Sequence, residues 1–196
     1  MPPVEAAEPY TAALPRADDG ELLRRVRSGD RAALVALYHR HARVVLAQVD
    51  LFAGDRGLSE EILQDTMLAV WRGAGSFRGE SSVRSWIMAI ARRQARDRLR
   101  RRRLRVVDDR LLAERPAPDP GPEDVALERA TATAVANATG ELSPAHREVL
   151  GLVFGAGLSL AETAQVLEIP LGTVKSRLAA ARAALSRALN EKGYGR

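Results

Sequence analysis

Residues 157–182 read GLSLAETAQVLEIPLGTVKSRLAAAR, and this stretch has the outline of a helix-turn-helix. Leu160, Ala164 and Leu167 recur at i, i+4 and i+7, one face of a short helix. Ser159 stands three residues before Glu162, the spacing of a capping box in which the two residues satisfy each other's free amides. Pro170 disfavours a helical conformation at Ile169 and ends that helix. A second helix is predicted from Leu171, with Val174, Leu178, Ala181, Leu185 and Leu189 as a narrow apolar stripe. Ser176 and Ala179 lie opposite the stripe, Lys175 and Arg182 on one flank, Thr173 and Arg177 on the other. Small and basic side chains on an outer face suit a helix entering a major groove, where hydroxyls and arginines meet phosphates and base edges without bulk in the way. A helical hairpin with a solvated basic face would leave the same pattern, so the rest of the chain must decide.

The 196 residues suffice for one domain or two small ones. Few aromatics, with alanine, leucine and arginine abundant, favour an all-helical build. Of the 30 basic residues only Lys175 and Lys192 are lysine. Arginine suits phosphate and guanine, although heavy Arg and Ala usage also follows from a GC-rich genome. Net charge is only +5, so its distribution carries more information than its sum. Cysteine is absent, which excludes disulfides, thiolate metal ligands and a cysteine nucleophile. No apolar run reaches membrane-spanning length and the N-terminus lacks a basic leader, so a cytoplasmic protein without membrane insertion is expected.

Taken in order, residues 1–18 are proline-rich and aperiodic and read as a disordered tail. Asp18-Asp19-Gly20 can cap a short helix, Glu21 to Arg27, and Asp30 a longer one carrying Leu34, Leu37, Tyr38, Val45 and Leu46. His39 and His41 fall on different faces of that helix and make no metal pair. Ser59 opens a third helix, SEEILQDTMLAVW. Glu60, Glu61, Gln64, Asp65 and Leu68 share one side of it, and Leu63, Met67 and Val70 another. An acidic face carrying a leucine can dock a basic partner, though composition alone favours a solvated face. A glycine-broken loop from Gly73 to Ser81 exposes Phe77 and Arg78 beside flexible backbone, a stacking platform for an unpaired base or a simple connection.

Ser82 then caps a helix through about Arg103, with Val83, Trp86, Ile87 and Ile90 buried. Residues 84–105 hold ten arginines against one acid, Asp97, a net +9. Such density repels itself and calls for a polyanion nearby. Residues 106–141 reverse the sign to −5, and Pro116, Pro118, Pro120 and Pro122 make their middle a linker that cannot form a helix. A weaker helical pattern runs from about Glu123 to Ala138 and stops at Gly140. Ser143-Pro144 starts another helix to about Phe154. The expected fold is all-α. Two small helical modules, 19–105 and 124–192, flank an acidic, Pro-rich linker over 106–123, and the second module contains the helix-turn-helix.

Set out this way, the chain resembles an extracytoplasmic-function (ECF) sigma factor, a small member of the bacterial sigma family. GDRAALVALYHRHA, SEEILQDTMLAVW, SFRGESSVRSWIMAIARRQARDRLRRRR, LSPAHREVLGLVF and GLSLAETAQVLEIPLGTVKSRLAAAR follow the family's motifs in order. The resemblance implies binding to core RNA polymerase, recognition of a two-part promoter and assistance in melting DNA. It implies no cofactor, no metal, no small-molecule substrate and no covalent chemistry, and it implies an anti-sigma partner. Glu60, Glu61, Gln64, Asp65 and Leu68 would face the polymerase clamp. Phe77, Arg78, Gly79, Glu80 and Ser81 would capture a flipped base of the minus-ten element, with Trp86, Arg92, Arg93 and Arg96 along the duplex edge. Leu171, Thr173, Lys175, Ser176 and Arg177 would lie in the major groove of the minus-thirty-five element, with Arg182 on phosphate. Arg93 departs from the family's frequent Asn, trading base discrimination for phosphate attraction. The competing readings are a free-standing helix-turn-helix regulator and a DNA-processing enzyme. For the enzyme the chain offers no nucleophile constellation.

Overall fold

The computed structural model describes residues 17–108 and 135–192, and every regular element in these segments is helical. α1 (Asp19–Arg27) starts where Asp18, in extended conformation, accepts the amide of Glu21 at 2.7 Å. Asp18 is therefore part of the folded module, and the tail prediction for residues 1–16 lies outside the described residues. α2 (Arg31–Ala53) starts at Asp30, whose Oδ1 takes the amides of Ala32 and Ala33 while its Oδ2 accepts from Arg25. Gly54 ends α2 in the left-handed region, at φ 60°, where a side chain is costly.

α3 (Arg56–Gly73) begins earlier than expected. Its N-cap is Asp55, which accepts the amide of Leu58 at 3.1 Å. Ser59 is wholly buried inside the helix, and its hydroxyl donates back to the Asp55 carbonyl at 3.0 Å. A serine followed by two acids looks like a cap, but the aspartate four residues earlier reaches the free amides first. A 3₁₀ turn, Ala74–Ser76, follows. α4 (Val83–Asp108) opens on Ser82, whose hydroxyl accepts the amide of Ser85 at 3.2 Å, and it continues into the first residues assigned to the linker. The remainder of the linker, and the start of the helix expected from Glu123, lie outside the described residues.

Residues 135–140 are helical. α5 (Pro144–Leu150) has Ser143 as N-cap and proline in its first turn, where the missing N–H costs nothing. The helix expected to reach Phe154 instead widens into a π turn, Gly151–Gly155, closed by Ala156 N–H donating to the Gly151 carbonyl at 2.8 Å. α6 (Leu160–Leu167) and α7 (Leu171–Glu191) form the helix-turn-helix. The capping box is complete: Ser159 Oγ accepts the Glu162 amide and Glu162 accepts the Ser159 amide at 2.9 Å. The inner face of α6 is Thr163, Val166 and Leu167, while Leu160 and Ala164 are half-buried. The stop also differs. Glu168 adopts φ 56°, a left-handed cap, so α6 ends before Ile169 and Pro170 serves to open α7. On α7, Val174, Leu178 and Ala181 are buried as the stripe requires, with Leu185 and Leu189 half-buried.

One apolar core runs through both modules. Leu22, Leu37, Ile62, Val70 and Ile87 fill the first, and Val149, Leu152, Val174 and Ala181 the second. Each such Leu, Ile or Val side chain contributes about 1.5–3 kcal/mol by leaving water. α2 packs on α5 and the π turn, and α4 packs on α6, so the second module sits directly on the first. Among the described residues no helix is long and apolar enough to cross a membrane.

Candidate nucleic-acid interface

The loop after α3 does not leave Phe77 open, as the sequence suggests. Its ring is half-buried and lies against Trp86 of α4, centroids 5.5 Å apart and planes inclined by 60°. Trp86 is also half-buried. The pair makes an aromatic platform at the head of the arginine helix rather than a lone exposed ring. Arg78, Gly79 and Glu80 are exposed and Ser81 half-buried. Gly79, at φ 75°, turns the loop through a conformation that other residues adopt at a cost.

Among the described residues, the arginines of α4 divide into those with a partner inside the protein and those without. Arg93, Arg96, Arg100 and Arg101 are exposed. Four others find partners within the protein. Arg84 Nη1 donates to the carbonyl of Ala156 at 3.2 Å, and Arg92 Nε to Glu148 Oε1 at 2.6 Å. Arg98 binds Asp65 and Glu61, and Arg102 binds Asp55 at 3.0 Å. Part of the charge that seemed to demand a polyanion is thus met by carboxylates of α3 and α5, and of the Asp55 cap. The exposed arginines remain for an external one. Of the residues expected on minus-ten DNA, Arg93 and Arg96 are open to solvent and Arg92 is covered.

The acidic side of α3 is similarly divided. Glu60 is exposed and paired with Arg56 at 3.0 Å. Gln64 is exposed, and Leu68 remains 51% exposed with its apolar side chain to solvent. Asp65 is half-buried because two nitrogens of Arg98 hold it. The guanidinium of Arg98 is raised above its usual range, first by its hydrogen bond to Asp65 and then by the two nearby carboxylates, against the opposing effect of burial.

On α7, Leu171, Lys175, Ser176 and Arg182 are exposed and Thr173 and Arg177 half-buried. Ser176 Oγ donates to the Thr173 carbonyl at 3.0 Å, which holds the hydroxyl close to the helix and keeps the face low. The Arg182 guanidinium lies 5.0 Å from the Phe154 ring centre, a cation–π contact. Phe154 itself is 60% exposed. The sequence places it at the end of the helix that starts at Ser143-Pro144, where the structure has the π turn instead. Gly151 and Gly155 were the available signal. Sequence reasoning also missed Gln48 and Glu148, and, for the two caps Ser82 and Glu162, their second role in joining the modules. Gln48 Nε2 donates to the Glu148 carbonyl at 3.3 Å, and Ser82 Oγ donates to Glu162. The Glu162 carboxyl sits below its ordinary range, chiefly through the Ser82 hydrogen bond and despite burial.

Residues 37–105 match the family model of Sigma-70 region 2, and residues 139–187 that of Sigma-70 region 4. The chain is 38% identical over 178 residues to the ECF RNA polymerase sigma factor SigM of Mycobacterium tuberculosis, across 90% of this chain and 87% of that protein. It is 34% identical to the RNA polymerase sigma factor CnrH of Cupriavidus metallidurans, across 90% of this chain and 96% of CnrH. Its fold is similar to CnrH in complex with the cytosolic domain of CnrY, with TM-score 0.64, 25% identity and coverage of 88% and 97%. The fold also matches the sigma factor RpoE of Bartonella quintana in complex with the anti-sigma factor NepR, with TM-score 0.66, 24% identity and coverage of 78% and 94%. With both family regions in order and near-complete coverage by relatives, the chain belongs to the ECF RNA polymerase sigma factors.

Proposed function

We propose that the chain acts by binding alone, as the subunit that carries core RNA polymerase to a two-part promoter in the cytoplasm. Residues 19–105 serve as the module for the polymerase clamp and the minus-ten element, and residues 124–192 as the module for the minus-thirty-five element. Gln64 and Leu68 meet the clamp, together with the free carboxylate edges of Glu60, Glu61 and Asp65. The Phe77–Trp86 platform receives an unstacked base, with Arg78, Gly79, Glu80 and Ser81 shaping the loop around it. Arg93 and Arg96 track phosphates, joined by Arg92 once it is uncovered. Leu171, Thr173, Lys175, Ser176 and Arg177 read the groove, and Arg182 contacts phosphate.

The observation that carries this reading is the pairing, in one chain, of an aromatic platform at the head of an exposed arginine row with a separate low, basic recognition helix. A free-standing regulator needs only the second of these, and the family membership does not favour it. A partner protein that covers these surfaces also fits, because CnrH is held by the cytosolic domain of CnrY.

Run-off transcription with purified core polymerase on a genomic promoter library tests the reading. The chain should direct promoter-specific transcripts, and Arg177→Ala should change which promoters are used without weakening polymerase binding. High-affinity DNA binding by the chain alone, with no promoter-specific transcript, would overturn it.

A further inference from the structure

We infer that Phe154 positions Arg182 for promoter contact: its ring holds the guanidinium on the flank of α7 with the charge left free for a DNA phosphate. The inference rests on the proposed placement of Arg182 against the minus-thirty-five element, and adds a residue which that placement does not include.

Arg182 differs from the paired arginines of α4 in what restrains it. Arg92 is held by Glu148 and Arg98 by Asp65, and each carboxylate cancels the charge that it fixes. Among the described residues Arg182 has no carboxylate and no hydrogen-bond acceptor as partner. Its guanidinium carbon instead lies 5.0 Å from the centre of the Phe154 ring. An aromatic face attracts a cation through its quadrupole and carries no net charge, so the side chain is restrained while its charge stays uncancelled. An arginine already restrained loses less rotamer freedom when it meets a phosphate.

The ring stands on a fixed support. Phe154 is 60% exposed, but Leu152 and Ala156, two residues to either side, are each 1% exposed and anchor the π turn. The Ala156 amide closes the turn on the Gly151 carbonyl, and the Leu158 amide donates to the Leu152 carbonyl at 3.0 Å. On its far side the backbone is pressed onto α2, where a Cβ at Gly151 would lie 2.2 Å from Gln48 Oε1 and 2.6 Å from Leu51 Cδ1. Widened turns of this kind are frequent where a helix carries a function. Lys175 and Arg182, seven residues and about two turns apart, are both exposed on one flank of α7. Two cations so placed fix the register of the recognition helix on the duplex, because phosphate contacts set position and base contacts set sequence. Loss of the ring should therefore weaken promoter contact without changing which bases are preferred.

The test uses the full chain bound to core polymerase, on a promoter recovered from the run-off library, across a series of salt concentrations. Arg182→Gln should lower promoter affinity about tenfold and flatten the dependence of log affinity on log salt by about one. Phe154→Leu, which keeps apolar bulk and loses the ring, should lower affinity about threefold with an unchanged slope, and Phe154→Tyr should retain wild-type affinity. In the Arg182→Gln background, Phe154→Leu should have no further effect. No loss, or an equal loss in both backgrounds, would overturn the inference and leave the promoter role standing. So would weakened core polymerase binding in Phe154→Leu, which would make the exposed ring a polymerase contact. Unchanged affinity in Arg182→Gln would take Arg182 off the phosphate, and the inference with it. Recovery of no promoter at all would remove the promoter role on which both rest.

Discussion

Arg98 of α4 grips Asp65 of α3 with two nitrogens at once: Nε lies 2.8 Å and Nη2 2.6 Å from the same oxygen, Oδ2, while Nη1 reaches Glu61. One turn farther along α4, Arg102 meets Asp55 at the start of α3. The carboxylates proposed to face polymerase are therefore tied to the arginine helix. Arg98→Ala should lower stability by about 1 kcal/mol, the upper end for a partly exposed pair with good geometry. Arg98→Lys should recover less than half of that, since an ammonium cannot serve three positions from one plane. Urea melts of the three proteins check both statements.

Asp65 is consequently a poor probe of the polymerase face, because removing it also takes from Arg98 two of its three hydrogen bonds. Gln64→Ala with Leu68→Ala instead changes two exposed side chains and breaks no ion pair. We expect the double substitution to weaken core polymerase binding about tenfold, roughly 1.4 kcal/mol, with an unchanged melting temperature. Unchanged affinity in a pull-down would take this face out of the mechanism.

His41 is 2% exposed and its Nε2 lies 2.8 Å from Asp19 Oδ2. Its pKa is held below the ordinary 6.5, first by burial and further by the positive charges of Arg84 and Arg40, with Asp19 pulling the other way. The folded state thus prefers neutral histidine, and the unfolded chain binds the proton more readily. That contribution to stability is present above the ordinary value and is lost as pH falls through the lowered one. Between about pH 7.5 and 5.5 the melting temperature should drop, and it should drop less in His41→Gln.

Glu168 ends α6 at φ 56°, where a residue with a Cβ is strained and glycine is not. Glu168→Gly should stabilise the chain by about 0.5–1 kcal/mol, raising the melting temperature by roughly 2–4 °C. A decrease in a thermal melt would mean that the Glu168 side chain makes a contribution its geometry does not show.

The start of most helices could be read from the chain, and the contacts between helices could not. Asp18, Asp30, Ser82, Ser143 and Ser159 cap helices as their types and spacing suggest, because a cap is decided within three residues. Asp55 was missed because Ser59, followed by two acids, offered the same local signal. The platform of Phe77 on Trp86 spans a loop whose path no periodicity encodes. Arg92 and Glu148 are 56 positions apart, and Gln48 and Glu148 are 100. Nothing local in these residues announces their partners. The basic run was visible as charge, but which arginines are spent internally depends on tertiary packing.

The close seating of Gly151 on Gln48 also bears on how such a chain can change over time. Residue 48 lies in the segment matched to region 2 and residue 151 in that matched to region 4. A side chain gained at 151 would run into the ends of Gln48 and Leu51, which must then shift or shrink. The two positions are therefore not free to drift separately, and a region exchanged between paralogues would bring a surface shaped for a different counterpart. Chimaeras that swap region 4 alone should carry over DNA preference yet lose this fit, so their two halves would be compatible in sequence and mismatched in shape.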